Sequence, residues 1–550
     1  MKVVIIGGVA GGMSAATRLR RLDEHAEIVI FEKGPYVSFA NCGLPFYLSG
    51  EISERSQLIV QTAEKLQQRF NLDVRPNHEV VQILPAKHEV VVRHAGQLVH
   101  ETYDRLILSP GAQPIMPEIP GMAEAKRVYA LRNIPDLDRI MAGIQDDDVR
   151  RVLVVGGGFI GLEVAENLKL SGLDVTIVEQ APHVLPPLDT EMAAFVRNEL
   201  VANGVKVLTN QALTGLEDAG QTAVLTDGTR LKTDLTIVAI GVRPASRLAQ
   251  KAGLQLGLKG GIVVNDRYQT SDPDIYAVGD AIVVKQQLNG QDTLIPLASP
   301  ANRQGRQVAD NLVGLNHPNR GSLGTAIVRA FKLAAAATGF SEFQARQLGL
   351  NYRVVHVRGT SHAGYFPGGT PLTLKLIFNP DSGKIYGAQG VGEQGVDKRI
   401  DVLATAIKGN LTIADLPELE LTYAPPFGSA KDPVNLLGYV AMNVAEGLSK
   451  TIQWSALPAT LAAGRRLLDV RDPDELREGQ FKDAIAIPLD QLRDRLTELD
   501  VNQPYVVSCF SGQRSYLAER ILRQHGFDVV NLDGAFALYR AVRPQDLILH

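Results

Sequence analysis

The chain opens with a short, nearly all-apolar run, Lys2 to Ile6, that breaks into Gly7-Gly8-Val9-Ala10-Gly11-Gly12. An apolar run of this length bounded by glycine predicts a buried strand. Met13 to Arg21 mixes apolar and basic positions and predicts a helix, and a second apolar run, Ile28 to Phe31, ends on Glu32. The same succession returns at Arg151 to Val155, Gly156-Gly157-Gly158-Phe159-Ile160-Gly161 and Val175 to Val178, which ends on Glu179. Near the C-terminus a shorter α/β pattern runs through Arg466 to Val470, Ala484 to Ile487 and Tyr505 to Ser508, with a helix from about Arg514.

Each of the first two successions reads as a βαβ unit. Its glycines let the backbone approach a pyrophosphate, the helix N-terminus meets the phosphate charge, and the terminal acid is placed for a ribose hydroxyl. The second loop fits G-x-G-x-x-G fully, whereas the first has Val9 where the middle glycine would stand. After Glu179 come Gln180, Ala181 and Pro182, with no arginine for a 2′-phosphate. Glu179 would itself repel that phosphate, so the second unit is expected to prefer NADH to NADPH.

Composition narrows the class. A chain of 550 residues suggests three or four domains, and 45% apolar with 21% charged residues is ordinary for a soluble enzyme. A net charge of −4 gives no reason to expect a nucleic-acid partner. The first apolar run leads into glycines rather than a cleavage site, and the apolar stretch 326–340 carries Arg329 and Lys332. Neither reads as a signal or a membrane span, so a cytoplasmic protein with no membrane partner is expected. There are two cysteines, Cys42 and Cys509, far apart in sequence, which excludes a disulfide scaffold and a cysteine metal cluster. No metal site is expected.

A third element bears on the first nucleotide. The run Thr270 to Asp280, ending Tyr276-Ala277-Val278-Gly279-Asp280, resembles the second flavin-binding motif of the pyridine nucleotide–disulfide oxidoreductases. Ser109 to Ala112 and Ala239 to Pro244 resemble that family's crossover strands. The resemblance covers residues 1 to about 445. It implies FAD on Gly7, Gly8, Ala10, Gly11, Gly12, Glu32, Lys33, Gly279 and Asp280, and NADH on Gly156, Gly158, Gly161 and Glu179. The fold it implies is α/β: two Rossmann-like domains, an α+β dimerisation domain and a homodimer. The expected FAD-binding parts are 1–112 and 243–320, with NAD(H) binding at 113–242 and dimerisation at 321–445.

Many members of the family carry a C-x-x-x-x-C pair. Here the position five after Cys42 is Tyr47, so no internal disulfide can close. Oxidised Cys42 is then a sulfenic acid, as in an NADH oxidase or peroxidase, or a mixed disulfide with a small thiol. Three features favour the small thiol. Ala10 stands where the peroxidase branch has histidine; Arg18 and Arg21 share a helix face; and Gly7 to Ala16, Ser38 to Cys42 and Leu421 to Val434 resemble coenzyme A disulfide reductases. That resemblance implies coenzyme A held by Ser14, Arg18, Arg21, Ser38, Asn41, Asn302, Arg306 and Lys431. It also implies a functional tyrosine pair, Tyr365 and Tyr423, reaching the cysteine of the other subunit. A phenol can protonate a departing thiolate, and which of the two does so is left open.

Around 446–458 the pattern breaks and predicts a linker, followed by a domain over 459–550. There Leu468-Asp469-Val470-Arg471, Ala484 to Pro488 and Cys509-Phe510-Ser511-Gly512-Gln513-Arg514-Ser515 resemble the rhodanese family. A cysteine between a strand end and a helix N-terminus faces backbone N–H groups that stabilise an anionic persulfide. Arg514 is expected to clamp the loop through Asp469. The same loop shape occurs in some phosphatases, and Gly534-Ala535 replaces the rhodanese family's closing double glycine. The expected enzyme reduces a persulfide, polysulfide or coenzyme A disulfide at Cys42, with Cys509 handling sulfane sulfur.

Overall fold

The apolar runs on either side of the first glycine loop become adjacent parallel strands, Lys2–Ile6 and Glu27–Phe31, with Val4 opposite Val29. Both strands are buried on both faces, which is why their sequences are continuous rather than alternating. Their sheet has the order Ile275–Ala277, Arg105–Leu108, Lys2–Ile6, Glu27–Phe31, Asp73–Arg75, all parallel. Ile275–Ala277 arrives late in the sequence, after the whole second glycine unit. That unit forms a second parallel sheet, in the order Lys206–Leu208, Asp174–Val178, Arg151–Val155, Leu235–Val238, Val128–Tyr129. The two segments that resemble crossover strands pair with each other as Ala112–Pro114 and Val242–Pro244, with Gln113 opposite Arg243.

This computed structural model describes residues 1–146 and 148–549. Both parallel sheets belong to one compact unit, Met1–Gln180 with Gly204–Gly324. Within it, helix Ala10–Leu22 starts inside the glycine run, earlier than the sequence pattern suggests, because Met13 N–H already donates to Val9 at 2.9 Å. It packs against helix Ala298–Leu312 at a very close crossing: a Cβ on Gly305 would stand 2.2 Å from the carbonyl oxygen of Gly11. Only glycine fits there.

The second unit comprises residues 181–203 and the chain from Thr325 onward. Residues 181–203, read from sequence with the NAD(H)-binding part, group here instead. An antiparallel sheet runs Ala326–Ala330, Leu333–Gly339, Ile385–Gly392, Pro371–Phe378, Arg353–Thr360. One face of it is polar, with His356 opposite Lys375 and Lys375 opposite Gln389. Lys375 has no exposed surface, and its ammonium sits among the carboxylates of Asp189 (2.9 Å), Glu342 (2.8 Å) and Glu191. These three acids converge closely enough to suggest a metal, but a lysine ammonium occupies their centre.

The C-terminal sheet is parallel, in the order Thr451–Ile452, Val529–Leu532, Tyr505–Ser508, Arg466–Asp469, Ile485–Ala486. Its first strand falls within 446–458, the stretch expected to be a linker. That stretch is ordered because its polar groups find partners: Lys450 N–H and the Ser449 hydroxyl both donate to the buried carboxylate of Glu519.

Candidate active site

Both glycine loops are shaped by close backbone approach. A Cβ on Gly12 would lie 1.9 Å from the Gly7 carbonyl oxygen, and one on Gly161 would lie 1.9 Å from that of Gly156. Gly7 and Gly156 themselves take φ of +103° and +107°. Above the second loop, a Cβ on Gly158 would meet nothing within 4 Å, so this face of the loop is open to a ligand. The helices that follow, Ala10–Leu22 and Phe159–Leu170, carry no acid in the first turn and a base in the last, leaving the N-terminal positive potential unopposed. Glu32 accepts from the N–H groups of Gly8 (2.9 Å) and Gly34 (2.8 Å), and Glu179 accepts from Gly157 (2.6 Å). The terminal acids therefore also hold the loops in shape. Lys33 is exposed beside the first of them.

Cys42 is exposed, in a single turn Asn41–Gly43 leading into helix Leu44–Leu48. Its approach is fixed by Ser38, whose φ is +47° and whose N–H donates to the Gly8 carbonyl at 2.8 Å. The cysteine segment is thus tied directly to the first glycine loop. Desolvation, then the carboxylates of Glu163 and Asp280, push the Cys42 thiol up. Left to the protein alone this thiol resists ionisation. Burial also pushes the Asp280 carboxyl up, against the pull of Arg132.

Of the residues assigned to coenzyme A, five lie on the two tightly crossed helices. The Ser14 hydroxyl donates to Asn302 at 2.6 Å, and Arg18 pairs with Asp310 at 2.6 Å. Arg21 and Arg306 are exposed, and the Arg21 guanidinium donates to the Thr17 carbonyl at 3.0 Å. Arg18 therefore has its charge answered within the fold, by an aspartate it shares with His317. Asn41 donates to the Arg132 carbonyl at 3.3 Å.

In the second unit the structure joins the two tyrosines, whose phenol oxygens lie 2.9 Å apart. Their loops are pinned together by Ala363 N–H donating to Pro425. His362 is nearly buried and acts structurally, through the Ser361 hydroxyl at 3.1 Å and the Pro367 carbonyl at 3.2 Å. The buried Arg399 links the Ser361 carbonyl (2.9 Å) to Asp432 (2.7 Å), next to the exposed Lys431.

Cys509 is completely buried at the end of strand Tyr505–Ser508. Its sulfur accepts from Gly512 N–H at 3.1 Å and lies 3.5 Å from the Ser515 hydroxyl. Arg514, expected to pair with Asp469, does not do so. Asp469 is taken by Arg471 (2.8 Å), two residues on and equally buried, and Arg514 makes a fork to Glu475 at 2.6 and 2.7 Å with Asp472 at 3.0 Å.

Residues 1–305 match the pyridine nucleotide-disulphide oxidoreductase family, and 325–433 match its dimerisation domain. The chain belongs to the pyridine nucleotide-disulphide oxidoreductases. Residues 454–541 add a rhodanese-like domain to this oxidoreductase. The coenzyme A disulfide reductase of Staphylococcus epidermidis is 36% identical over 443 residues, 80% of this chain and 99% of that one. Among solved structures, reduced Bacillus anthracis CoADR-RHD is similar along the whole chain, at 50% identity, 100% and 99% coverage and a TM-score of 0.97. An NAD-dependent persulfide reductase from A. fulgidus follows the fold with a TM-score of 0.94, at 37% identity over 98% of this chain and all of that one.

The oxidoreductase is flavin-dependent by its family, and its residues fit the flavin nucleotide. The Gly7–Gly12 loop lies at an unopposed helix N-terminus, and Asp280 sits in the turn Gly279–Ala281, where Gly279 N–H is held by Gln304 at 2.7 Å. Sequence reasoning missed two residues of this oxidoreductase. Arg132 donates to the Pro110 carbonyl at 3.1 Å and feels Glu32 and Asp280, while burial pushes its guanidinium down. Glu163, on the fingerprint helix, helps to raise the Cys42 thiol through its charge. Arg132 lies in no motif. Glu163 lies two residues beyond Gly161, but its effect on Cys42 became legible only with the chain folded.

Proposed function

We propose that the oxidoreductase uses NADH to reduce the sulfane sulfur of coenzyme A persulfide or a polysulfide, and also coenzyme A disulfide, through Cys42. Cys42 carries this reading: a single thiol held against the first glycine loop by the Ser38–Gly8 bond, with Tyr47 where a resolving cysteine would stand. Of the two oxidised forms open to such a cysteine, the mixed disulfide with the substrate thiol is assigned to Cys42 over the sulfenic acid. FAD, held by the first loop and Asp280, supplies the relay of two electrons from reduced nicotinamide to sulfur. Glu179, with no arginine after it, supports NADH over NADPH.

The thiolate of Cys42 attacks the inner sulfur of a persulfide. A Cys42–coenzyme A disulfide bond forms, the sulfur–sulfur bond of the persulfide breaks, and hydrosulfide leaves with the electron pair. The proton for a departing thiolate is assigned to the Tyr365–Tyr423 pair. Ser14, Arg18, Arg21, Ser38, Asn41, Asn302, Arg306 and Lys431 are assigned to coenzyme A. The rhodanese-like domain supports persulfide as the working substrate, because a disulfide reductase has no use for a sulfur-delivering module. The functional form is a homodimer, supported by the dimerisation domain.

The test is anaerobic NADH consumption by FAD-loaded protein, with coenzyme A persulfide and coenzyme A disulfide side by side and Cys42→Ser as control. Faster persulfide turnover, with sulfide released and lost in the control, is the expected result. Reduction of oxygen or peroxide but neither sulfur substrate would replace this reading with an NADH oxidase cycling through a sulfenic acid.

A further inference from the structure

The loop that carries Cys509 contains one cation of its own, Arg514, and that charge is spent on Glu475 and Asp472. Arg471 is likewise spent on Asp469. Two other arginines close to the loop have no carboxylate partner among the described residues.

Arg358 lies on the polar face of strand Arg353–Thr360, two residues after His356 and opposite Thr373. Its guanidinium donates to the Thr373 hydroxyl at 3.2 Å and stands 6.0 Å from the ring centroid of Phe510, the residue next to Cys509. Arg540 lies on helix Ala535–Val542. The first turn of that helix is stitched to the cysteine loop, with Phe536 N–H donating to the Cys509 carbonyl and Ala537 N–H to that of Phe510, both at 3.0 Å. Arg540 is exposed and follows Phe536 by four residues, one turn further along the helix. Burial, and then the charge of Arg540, push the Arg358 guanidinium down. Arg358 is partly buried with no carboxylate partner among the described residues, and an anion beside it would answer its charge.

We propose that Arg358 and Arg540 form a receiving site for the anionic part of a sulfane-sulfur donor at the Cys509 loop. The shared chemistry is a sulfane sulfur attached to a negatively charged group, either the sulfonate of thiosulfate or the phosphates of coenzyme A persulfide. The inference rests on the reading of Cys509 as the sulfur-accepting thiol. With thiosulfate, the Cys509 thiolate attacks the outer sulfur and a new sulfur–sulfur bond forms on Cys509. The sulfur–sulfur bond of thiosulfate breaks, and its electron pair leaves on sulfite. One negative charge stays on the persulfide and two leave on sulfite, equal to those brought by thiolate and thiosulfate. Arg358 and Arg540 would hold the group that becomes sulfite, while Gly512 N–H faces the persulfide end.

The experiment follows sulfur loading of Cys509 in FAD-loaded full-length protein. A Cys42→Ser background ensures that protein-bound sulfur reports Cys509 alone. Thiosulfate, coenzyme A persulfide and the uncharged dimethyl trisulfide are compared for Arg358→Gln, Arg540→Gln and the charge-conserving Arg358→Lys. Loading by the anionic donor slows about tenfold or more in each glutamine variant, recovers in Arg358→Lys and is unchanged with the trisulfide. Loss confined to thiosulfate assigns the site to the inorganic anion, and loss confined to coenzyme A persulfide assigns it to phosphate. Equal losses with all three donors, or none with any, overturn the site. If the unsubstituted arginine protein loads from none of the donors, the sulfur-accepting role of Cys509 falls first, and the site with it.

Discussion

The phenol oxygens of Tyr365 and Tyr423 lie 2.9 Å apart on two exposed loops, joined by one hydrogen bond. The bond from Tyr423 raises the Tyr365 phenol above its ordinary value. Replacing either tyrosine by phenylalanine is expected to lower kcat for coenzyme A persulfide by about 10²-fold. The double variant should lose little more than the worse single one, because the two act as a unit. In Tyr423→Phe the alkaline limb of the kcat profile should move to lower pH, since the bond that raises Tyr365 is gone. A limb that stays in place would remove Tyr365 from the proton path.

His356 is fully enclosed between Asp533 (2.8 Å) and Glu191 (3.3 Å). Burial alone would lower its pKa, but the carboxylates of Asp533 and Glu191 win and raise it to about 9. A group raised in the fold stabilises fully below its unfolded value and loses that contribution as pH climbs through the folded one. Unfolding free energy should therefore fall between about pH 6.5 and 9, by up to about 3 kcal/mol. Chemical denaturation at several pH values checks this, and His356→Gln should flatten that part of the curve.

The Cys42 thiol is raised by desolvation and then by Glu163 and Asp280. Removing the charge that acts on it more strongly, with Glu163→Gln, should let the thiol ionise at lower pH. Alkylation by iodoacetamide at neutral pH should then be several-fold faster in FAD-free Glu163→Gln than in the unsubstituted protein. No change in rate would mean that the Glu163 charge does not hold the thiol protonated.

Arg514 is joined to Glu475 by a two-pronged pair at 2.6 and 2.7 Å. Lysine cannot reproduce that fork, so Arg514→Lys should slow sulfur loading of Cys509 about tenfold with little change in thermal stability. Asp469→Asn should behave oppositely. It leaves Arg471 buried with a lost counter-charge and should cost about 3–5 kcal/mol in folding.

Gly305→Ala would place a methyl 2.2 Å from the Gly11 carbonyl oxygen. The two helices must part, at about 1–3 kcal/mol, and the Ser14–Asn302 bond should open with them. A lower melting temperature together with a raised KM for coenzyme A substrates is expected.

Both nucleotide units were legible because buried parallel strands write themselves as unbroken apolar runs, and because the glycines answer to local sterics. Gly12 and Gly161 are forced by contacts within their own loops. The Arg514 partner was misread for the opposite reason. Asp469 and Glu475 are both acids near the loop, and only the fold reveals that Arg471 is buried against the first. Arg132 was invisible because its partners, Pro110 and Asp280, are distant in sequence. The stretch 446–458 looked like a connector because a two-residue strand is too short to show a period of two.

That same two-residue strand restricts how this protein could have been assembled from older parts. Thr451–Ile452 borders Val529–Leu532, so the edge of the last sheet is finished by residues that precede its other strands. A recombination junction placed at 459 would hand the transplanted module a bare, apolar rim, ready to pair with another copy. A junction that keeps the module whole must fall upstream of Ser449, at the end of helix Pro433–Ala445.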